Sequence, residues 1–337
     1  MSMLALALQE PGRLELIEAS MPEEAPGEAI VKISRAGVCG TDYHAFRGKQ
    51  PYFSYPRILG HELAGEVVSR GNTDFSVGDA VAIMPYVSCG ACIACGCGKP
   101  NACERLRVLG VHAEGGMQPY IRVPYRQLVK TKGLSADEAV IVEPLAIGLH
   151  AVNRAGLAPG ELTLVIGAGP IGLAAMKFAK LQGANVVAMD LSANRLAFAS
   201  EWAQADAVVH AGEDAQERLL AATGGRLPSA VFDATGNRAS MERAFDYAAH
   251  GGTVVFVSLV QGIVGFTDEE FHKKELTLHA SRAATKAEFE QVIAHIRQGS
   301  IDAGAFITHR AAFEEGHLAI PKWLAAESAV IKAVLQF

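Results

Sequence analysis

Two rhythms of apolar and polar positions divide the chain. From Met1 to about Tyr125, short apolar alternations such as "AIVKI", "EVVSR" and "AVAIMP" are separated by turns rich in Gly, Pro, Asp and Asn, which predicts an all-β region. The opening "MSMLALALQEPGRLELIEAS" fits that pattern. It lacks a basic leader, and Gln9 and Glu10 interrupt its apolar run, so it reads as a first strand rather than a signal peptide. From about Leu162, apolar runs of strand length alternate with helical stretches: "LTLVIG" with "GPIGLAAMKFAKLQG", "NVVAMD" with "SANRLAFASEWA", "AVVHA" with "DAQERLLAATG", "AVFDATG" with "SMERAFDYAA", then "TVVFVSLV". This alternation predicts βαβ units on a doubly wound parallel sheet. After Arg282, "TKAEFEQVIAHIRQGSI" predicts an amphipathic helix opened by Thr285 with Glu288 three residues on, a capping box, and the chain closes on an edge-like apolar strand. The expected architecture is an α/β unit, residues 147–283, inserted into a β-rich unit built from residues 1–146 and 284–337.

Composition narrows the function classes. At 337 residues, half of them hydrophobic, the chain can bury two cores. Its formal charge of -6 is mild, and no run of Lys or Arg forms a basic stripe, which argues against nucleic acid as a partner. The apolar stretch Leu162 to Met176 is shorter than the roughly 18 residues a membrane span needs and carries Gly and Pro at its middle. No membrane span is expected, and the expected location is cytoplasmic. Thiols stay reduced there, so clustered cysteines point to metal before disulfides.

The first candidate chemistry opens the α/β rhythm. "GAGPIG" places Gly167, Gly169 and Gly172 in the G-x-G-x-x-G spacing, with Pro170 and Ile171 inside it, after a strand-like run and at the head of a helix-like one. The glycines allow a tight turn and close approach of backbone to a pyrophosphate, while the free amides of a helix start supply an anion site. Asp190 ends the next apolar run, eighteen residues after the last glycine, where a carboxylate accepts the hydroxyls of an adenosine ribose and repels a 2'-phosphate. The expected cofactor is NAD rather than NADP, although Arg195 lies close enough in sequence to soften that preference.

Five of the six cysteines fall in "SCGACIACGCGKPNAC". Cys89, Cys92, Cys95 and Cys103, spaced C-x2-C-x2-C-x7-C with Gly90 and Gly96 in the short loops, suit one tetrahedral zinc. Four thiolates close the coordination sphere, so such a zinc is structural and staples a lobe over residues 88–104. Cys97 is the spare thiol, and disulfides or an iron-sulfur cluster are the competing readings. Cys39 stands apart in "VCGTDYH", followed by "GHELAGEVV" with His61 and Glu62 and, just before the α/β region, by "VEPLA" with Glu143. A thiolate, an imidazole and carboxylates from separate loops form a mixed set with room for an open position, the donor pattern of a catalytic zinc.

With "CGTDYH", "GHELAG", the four-cysteine lobe and "GAGPIG" plus Asp190 in that order, the chain resembles the zinc-dependent medium-chain dehydrogenases, the alcohol and polyol dehydrogenase superfamily, over essentially its whole length. Glu143 in "EP", where the alcohol dehydrogenases proper carry a cysteine, is similar to the sorbitol, threonine and sugar-acid branch. More narrowly, "FRGKQPYFSYPRILGHE", "RVLGVHAEGG", "DATGN" and "FHKKELTLHASR" are similar to bacterial L-galactonate 5-dehydrogenases and starvation-sensing dehydrogenase-like proteins. The resemblance implies a Rossmann NAD-binding domain inserted in a GroES-like catalytic domain, with two zinc ions per chain. It implies that Cys39, His61 and Glu62 bind the catalytic zinc, with Glu143 as fourth ligand directly or through a water, and that Asp42 holds the outer nitrogen of His61. Thr41 would pass the substrate hydroxyl proton toward His44 and solvent. Thr235 in "DATGN" and the strand "VSL" (Val257, Ser258, Leu259) would flank the nicotinamide half of the cofactor, and Ser281 and Arg282 would close over it.

The activity so implied is hydride transfer between NAD and a secondary alcohol of a sugar acid or polyol, with an L-galactonate-like aldonate oxidised at C5 as the first expectation. The zinc would act as a Lewis acid that lowers the pKa of the substrate hydroxyl. Threonine, sorbitol or simple alcohols are the alternative substrates, and a non-catalytic NAD-binding regulator is the remote alternative. A sugar acid requires a cation for its carboxylate, for which Arg282, Lys273, Lys274 and Arg47 are candidates. Ala45, after His44, departs from several polyol dehydrogenases that carry a substrate-touching aromatic there, and Tyr52 and Phe53 are the candidate replacements. The resemblance also implies a homodimer or homotetramer joined through the edge of the α/β sheet, a role expected of "TVVFVSLVQGIVGF".

Overall fold

In the computed structural model, which describes residues 2–69, 75–325 and 329–337, the N-terminal alternations become strands. Ser2–Glu10 pairs antiparallel with Arg13–Ser20 and with Arg57–Ile58, and its inward Leu6 and Leu8 are fully buried. Among the described residues a second sheet runs in the order Leu128–Lys130, Ala80–Ile83, Glu62–Ser69, Glu28–Val38, Lys332–Gln336, Ile307–Ala312, with Tyr120–Pro124 also paired to Glu28–Val38. Its apolar face, including Val31, Ile33, Leu63, Val81, Ile83 and Leu335, forms one core with Leu6 and Leu8. The region is not purely β, since the helix Gly40–Phe46 and the short turn of helix Ile93–Gly96 interrupt it.

The C-terminal strand departs from expectation. Lys332–Gln336 is an interior strand, antiparallel to Glu28–Val38 on one side and parallel to Ile307–Ala312 on the other, and the latter is the edge. The physical reason lies in "KAVLQ" itself: Ala333, Val334 and Leu335 are consecutive and all fully buried, the signature of a strand covered on both faces rather than of an edge.

Two compact units result, Met1–Glu143 with Thr285–Phe337, and Pro144–Ala284. The chain leaves the first unit after Glu143, inside the helix Val142–Ala155, rather than after Ala146, and returns at Thr285. Thr285 opens the helix Lys286–Arg297 with the expected capping box, in which the Glu288 carboxylate accepts from the Thr285 amide at 2.7 Å and from its hydroxyl at 2.9 Å.

The second unit is a parallel sheet ordered Ala207–His210, Asn185–Asp190, Leu162–Ile166, Ala230–Asp233, Thr253–Phe256, Thr277–Ala280. The order reverses at Leu162–Ile166, so the crevice at the carboxyl ends of the strands opens beside that strand. Two expectations change here. Val257, Ser258 and Leu259 are not a strand: the ladder ends with the pair Asp233 and Phe256, and Leu259 is 56% exposed. The segment "TVVFVSLVQGIVGF" is not the sheet edge either, because Thr277–Ala280, whose polar "TLHA" conceals its strand character, pairs outside Thr253–Phe256.

Placing Leu335 inside a sheet has a measurable consequence. Leu335→Ala is expected to lower unfolding free energy by about 2–5 kcal/mol, the range for a buried leucine. A loss below about 1 kcal/mol in urea denaturation would return this strand to an edge.

Candidate functional site

Sheet pairing, rather than loop geometry, gathers the mixed donor set. Glu28–Val38 ends one residue before Cys39, the antiparallel strand Glu62–Ser69 begins one residue after His61, and on the other side of Glu28–Val38 the strand Lys332–Gln336 begins beside its end. Antiparallel pairing therefore brings Cys39, His61, Glu62 and Lys332 to one end of the sheet, with Gly37 directly opposite Glu62. Donor atoms of Cys39, His61 and Glu62 all lie within 4.8 Å of one another, and His61 and Glu62 are buried. Glu143, also buried, stands outside that trio, with Oε1 accepting a hydrogen bond from the Tyr86 hydroxyl.

Backbone packing fixes these side chains. Gly60, at φ +100°, precedes His61, and a strap of backbone bonds holds it: Gly115 N to Ile58 O at 2.8 Å, Met117 N to Leu59 O and Gly116 N to Gly60 O at 2.9 Å each. A Cβ on Gly115 would meet Leu59 O at 2.3 Å, so the strap approaches this closely only as glycine. Cys39 caps the helix Gly40–Phe46, where Asp42 accepts from the Cys39 amide at 2.8 Å. The other Asp42 oxygen faces Nδ1 of His61 at 3.8 Å, beyond hydrogen-bond distance. Thr41 is half-buried and His44 exposed on the same helix.

Lys332 is the residue sequence reasoning missed. Its ammonium, 1% exposed, donates to both oxygens of Glu62 at 2.6 and 2.7 Å and to Val38 O at 3.3 Å. Gly37 makes the pair fit, because a Cβ there would sit 2.0 Å from Glu62 Oε2. Burial opposes the charge on Lys332, but Glu62 and Cys39 outweigh it and raise the ammonium above its usual range. Burial likewise opposes protonated His61, yet Cys39 and Asp42 push the imidazole well above its usual range. Glu143 is pushed up to about 7 by burial, with His61 opposing. A cavity that draws a proton onto imidazole against its own desolvation calls for positive charge, so thiolate, imidazole and carboxylate suit a zinc ion in the proton's place.

Cys89, Cys92, Cys95 and Cys103 converge as the spacing predicts, with their sulfurs within 4.8 Å of one another, and Cys97 is exposed outside the group. The strands Tyr86–Val87 and Arg107–Val108 pair where the two ends of this lobe return. The thiols differ in acidity. Cys89 falls to about 6, chiefly because the Ala91 amide donates to it, while burial and the neighbouring thiols lift Cys95 to about 11. Four sulfurs in contact suit a closed tetrahedral zinc that replaces the shared protons.

In the second unit the glycine turn sits at the sheet's reversal point. A Cβ on Gly172 would fall 1.8 Å from Gly167 O, and Gly167 itself, at φ +95°, abuts Ala234 and Thr235. Gly169 caps the helix Pro170–Leu181 with Pro170 in its first turn, and Ile171 follows it. Asp190 accepts from Ala168 N at 2.7 Å and Ser192 N at 2.8 Å, holding turn and carboxylate together. The Arg195 guanidinium lies 3.7 Å from where a Gly169 Cβ would be. Thr235 donates its hydroxyl to buried Asp233 at 2.7 Å, and Gly236 brings the "DATGN" loop beside Ser258 and Leu259. Ser281 is half-buried and Arg282 exposed just past the strand Thr277–Ala280.

The candidate substrate contacts separate. Lys274 is removed as a carboxylate partner, since its ammonium donates to the carbonyls of Phe245, Asp246 and Ala248 at 3.0–3.1 Å. Lys273 pairs with Glu270 at 3.3 Å, and Arg47 donates to Leu324 O at 3.4 Å. Ala45 is fully buried and its carbonyl accepts from the Tyr55 hydroxyl, so the position faces the core, where a large ring would clash. Phe53 packs on Tyr55, whereas Tyr52 is 59% exposed and stacks on His112.

Comparison with known proteins follows the same division. Residues 25–133 match the family described as alcohol dehydrogenase GroES-like domain, and residues 170–298 match zinc-binding dehydrogenase. The chain is 44% identical to L-galactonate-5-dehydrogenase of Escherichia coli (strain K12) over 93% of its own length and 92% of the relative's. It superposes with a TM-score of 0.93 and 32% identity on the crystal structure of a short chain alcohol dehydrogenase (rspB) from E. coli CFT073 complexed with NADH, covering 100% of this chain and 99% of that one. A zinc-binding dehydrogenase from Sinorhizobium meliloti 1021 bound to NADP gives 0.90 at 27% identity with full coverage of both.

Replacing Lys332 tests the buried ion pair. Lys332→Met leaves the Glu62 carboxylate without its cation, for an expected loss of about 3–5 kcal/mol of stability at neutral pH by chemical denaturation. Unchanged stability would mean that Glu62 does not depend on Lys332.

Proposed function

Because the chain belongs to the zinc-dependent alcohol and polyol dehydrogenases, we propose that Cys39, His61 and Glu62, with Glu143 alongside, hold its catalytic zinc and that it oxidises a sugar acid at a secondary alcohol with NAD. The observation that carries the site assignment is the convergence of a thiol, an imidazole and a carboxylate at one end of a sheet. The chain is a polyol or sugar-acid dehydrogenase, and its likeness to L-galactonate-5-dehydrogenase supports an aldonate oxidised at C5 as substrate. Cys89, Cys92, Cys95 and Cys103 hold a second, structural zinc.

Zinc held by Cys39, His61, Glu62 and Glu143 would supply Lewis acidity toward the substrate hydroxyl, and NAD held at the glycine turn and Asp190 would supply the hydride acceptor. The residues of the chain manage the proton. Thr41, two residues past Cys39, takes the hydroxyl proton and passes it to His44, which lies three residues on along the same helix and is exposed to solvent. Burial, then Arg47 and Lys49, lower the His44 pKa, so its imidazole is neutral and able to accept near pH 7. Arg47, at the end of that helix, is the cation we assign to the substrate carboxylate. The amides at the start of Pro170–Leu181 receive the pyrophosphate, and Asp190 receives the ribose hydroxyls and favours NAD. Thr235, Val257, Ser258, Leu259, Ser281 and Arg282 border the nicotinamide half. Self-association into a homodimer or homotetramer would use the exposed edge Thr277–Ala280.

A panel of aldonates, polyols, L-threonine and short alcohols with NAD and NADP, read as reduced cofactor absorbance, tests the substrate. The highest kcat/KM is expected for an aldonate with NAD, and a clear preference for threonine, sorbitol or ethanol would replace that assignment. Cys39→Ser is expected to lower turnover by more than about a hundredfold, since changes to the hydrogen-bond partners of metal ligands alone reach that size. Wild-type turnover in that variant would remove the zinc site from the mechanism.

A further inference from the structure

Both carboxylates of the mixed donor set are already engaged by donors of the chain, and the two donors differ in kind. Glu62 has a full cation on both oxygens, whereas Glu143 accepts from the neutral phenol of Tyr86 on Oε1 alone. Tyr86 is poorly placed to move. Its carbonyl accepts from Gln127 Nε2 at 2.5 Å, and Gln127, 2% exposed, also reaches Met84 O at 3.3 Å. Its ring meets the fully buried Phe289 edge-on, with centroids 6.5 Å apart at 83°. Its strand, Tyr86–Val87, pairs with Arg107–Val108. A buried carboxylate needs hydrogen-bond donors, and a phenol hydroxyl donates one bond. The phenol therefore commits one oxygen of Glu143 and leaves the other to meet a further partner.

We propose that Tyr86 is a positioning residue for Glu143, fixing which carboxylate oxygen faces the metal site and thereby how firmly that site retains its zinc. The inference rests on the assignment of Cys39, His61, Glu62 and Glu143 to the metal. Tyr86 touches neither metal nor substrate in this account and acts only through Glu143. Orienting partners of metal ligands are worth about 10–100-fold in metal affinity or activity. Tyr86 also lies three residues before Cys89, so the competing role is to brace the four-cysteine lobe. The two roles act on different metal ions.

The test follows zinc release from the zinc-loaded protein into a chromogenic chelator. Wild type is expected to release two zinc ions per chain in two phases, of which Cys39→Ser abolishes one. Tyr86→Phe keeps the ring against Phe289 and removes only the hydroxyl. It is expected to accelerate the Cys39-dependent phase by about tenfold or more and to leave the other phase unchanged. In a Glu143→Gln background the same substitution is expected to add little, because the effect passes through the carboxylate. Two phases with the Cys39-dependent one unaltered by Tyr86→Phe, acceleration of the four-cysteine phase instead, or an equal effect in the Glu143→Gln background would overturn the inference alone. A wild type that releases a single zinc, unaffected by Cys39→Ser, would overturn the metal assignment and this inference with it.

Discussion

The ion pair between Lys332 and Glu62 is the interaction on which the first unit's arrangement depends. Two full charges buried together are tolerated only with close geometry and further hydrogen bonds, and here Lys332 spans both carboxylate oxygens and a backbone carbonyl. That geometry requires three strand ends to meet, one of them from the last residues of the chain. It also requires Gly37 across from Glu62, where any Cβ would overlap the carboxylate. Because the C-terminal strand must pair with Glu28–Val38, the α/β unit between them is necessarily an insertion.

The fold gathers two donor sets of unlike kind. The four-cysteine lobe is a local loop whose sulfurs come from neighbouring residues, and its donors are all of one kind. The mixed set draws a thiol, an imidazole and carboxylates from separate segments, so each donor has a different neighbour: Cys39 the helix it caps, His61 the glycine strap, Glu62 the Lys332 ammonium, Glu143 the Tyr86 hydroxyl. Independent orientation is what a metal with an open position would require of its ligands.

What could be read in the sequence follows from how local each feature is. Cysteine spacing and the glycine turn carry their geometry within a few residues, so their convergence is legible, as are the strand and helix alternation and the capping box at Thr285. Lys332 was not legible, because its partner is 270 residues away and only the strand order joins them. Tyr86 reads as an ordinary apolar strand residue, and Gly37 sits mid-run with no turn around it. Interior and edge strands look alike in the sequence for a related reason. Burial on two faces shows as a continuous apolar run whose neighbours the run does not name, and "TLHA" carries too little apolar character to be read as a strand.

The central claim is that this chain carries two zinc sites of different donor sets, one closed by four thiolates and one held by Cys39 with nitrogen and oxygen ligands. X-ray absorption at the zinc edge of the fully loaded protein addresses it directly. With four sulfurs from the lobe and one from Cys39, the account predicts about five zinc–sulfur bonds per two zinc ions, the remainder being nitrogen and oxygen at the shorter distances of about 2.0–2.2 Å. A single zinc per chain in an all-sulfur environment would contradict it.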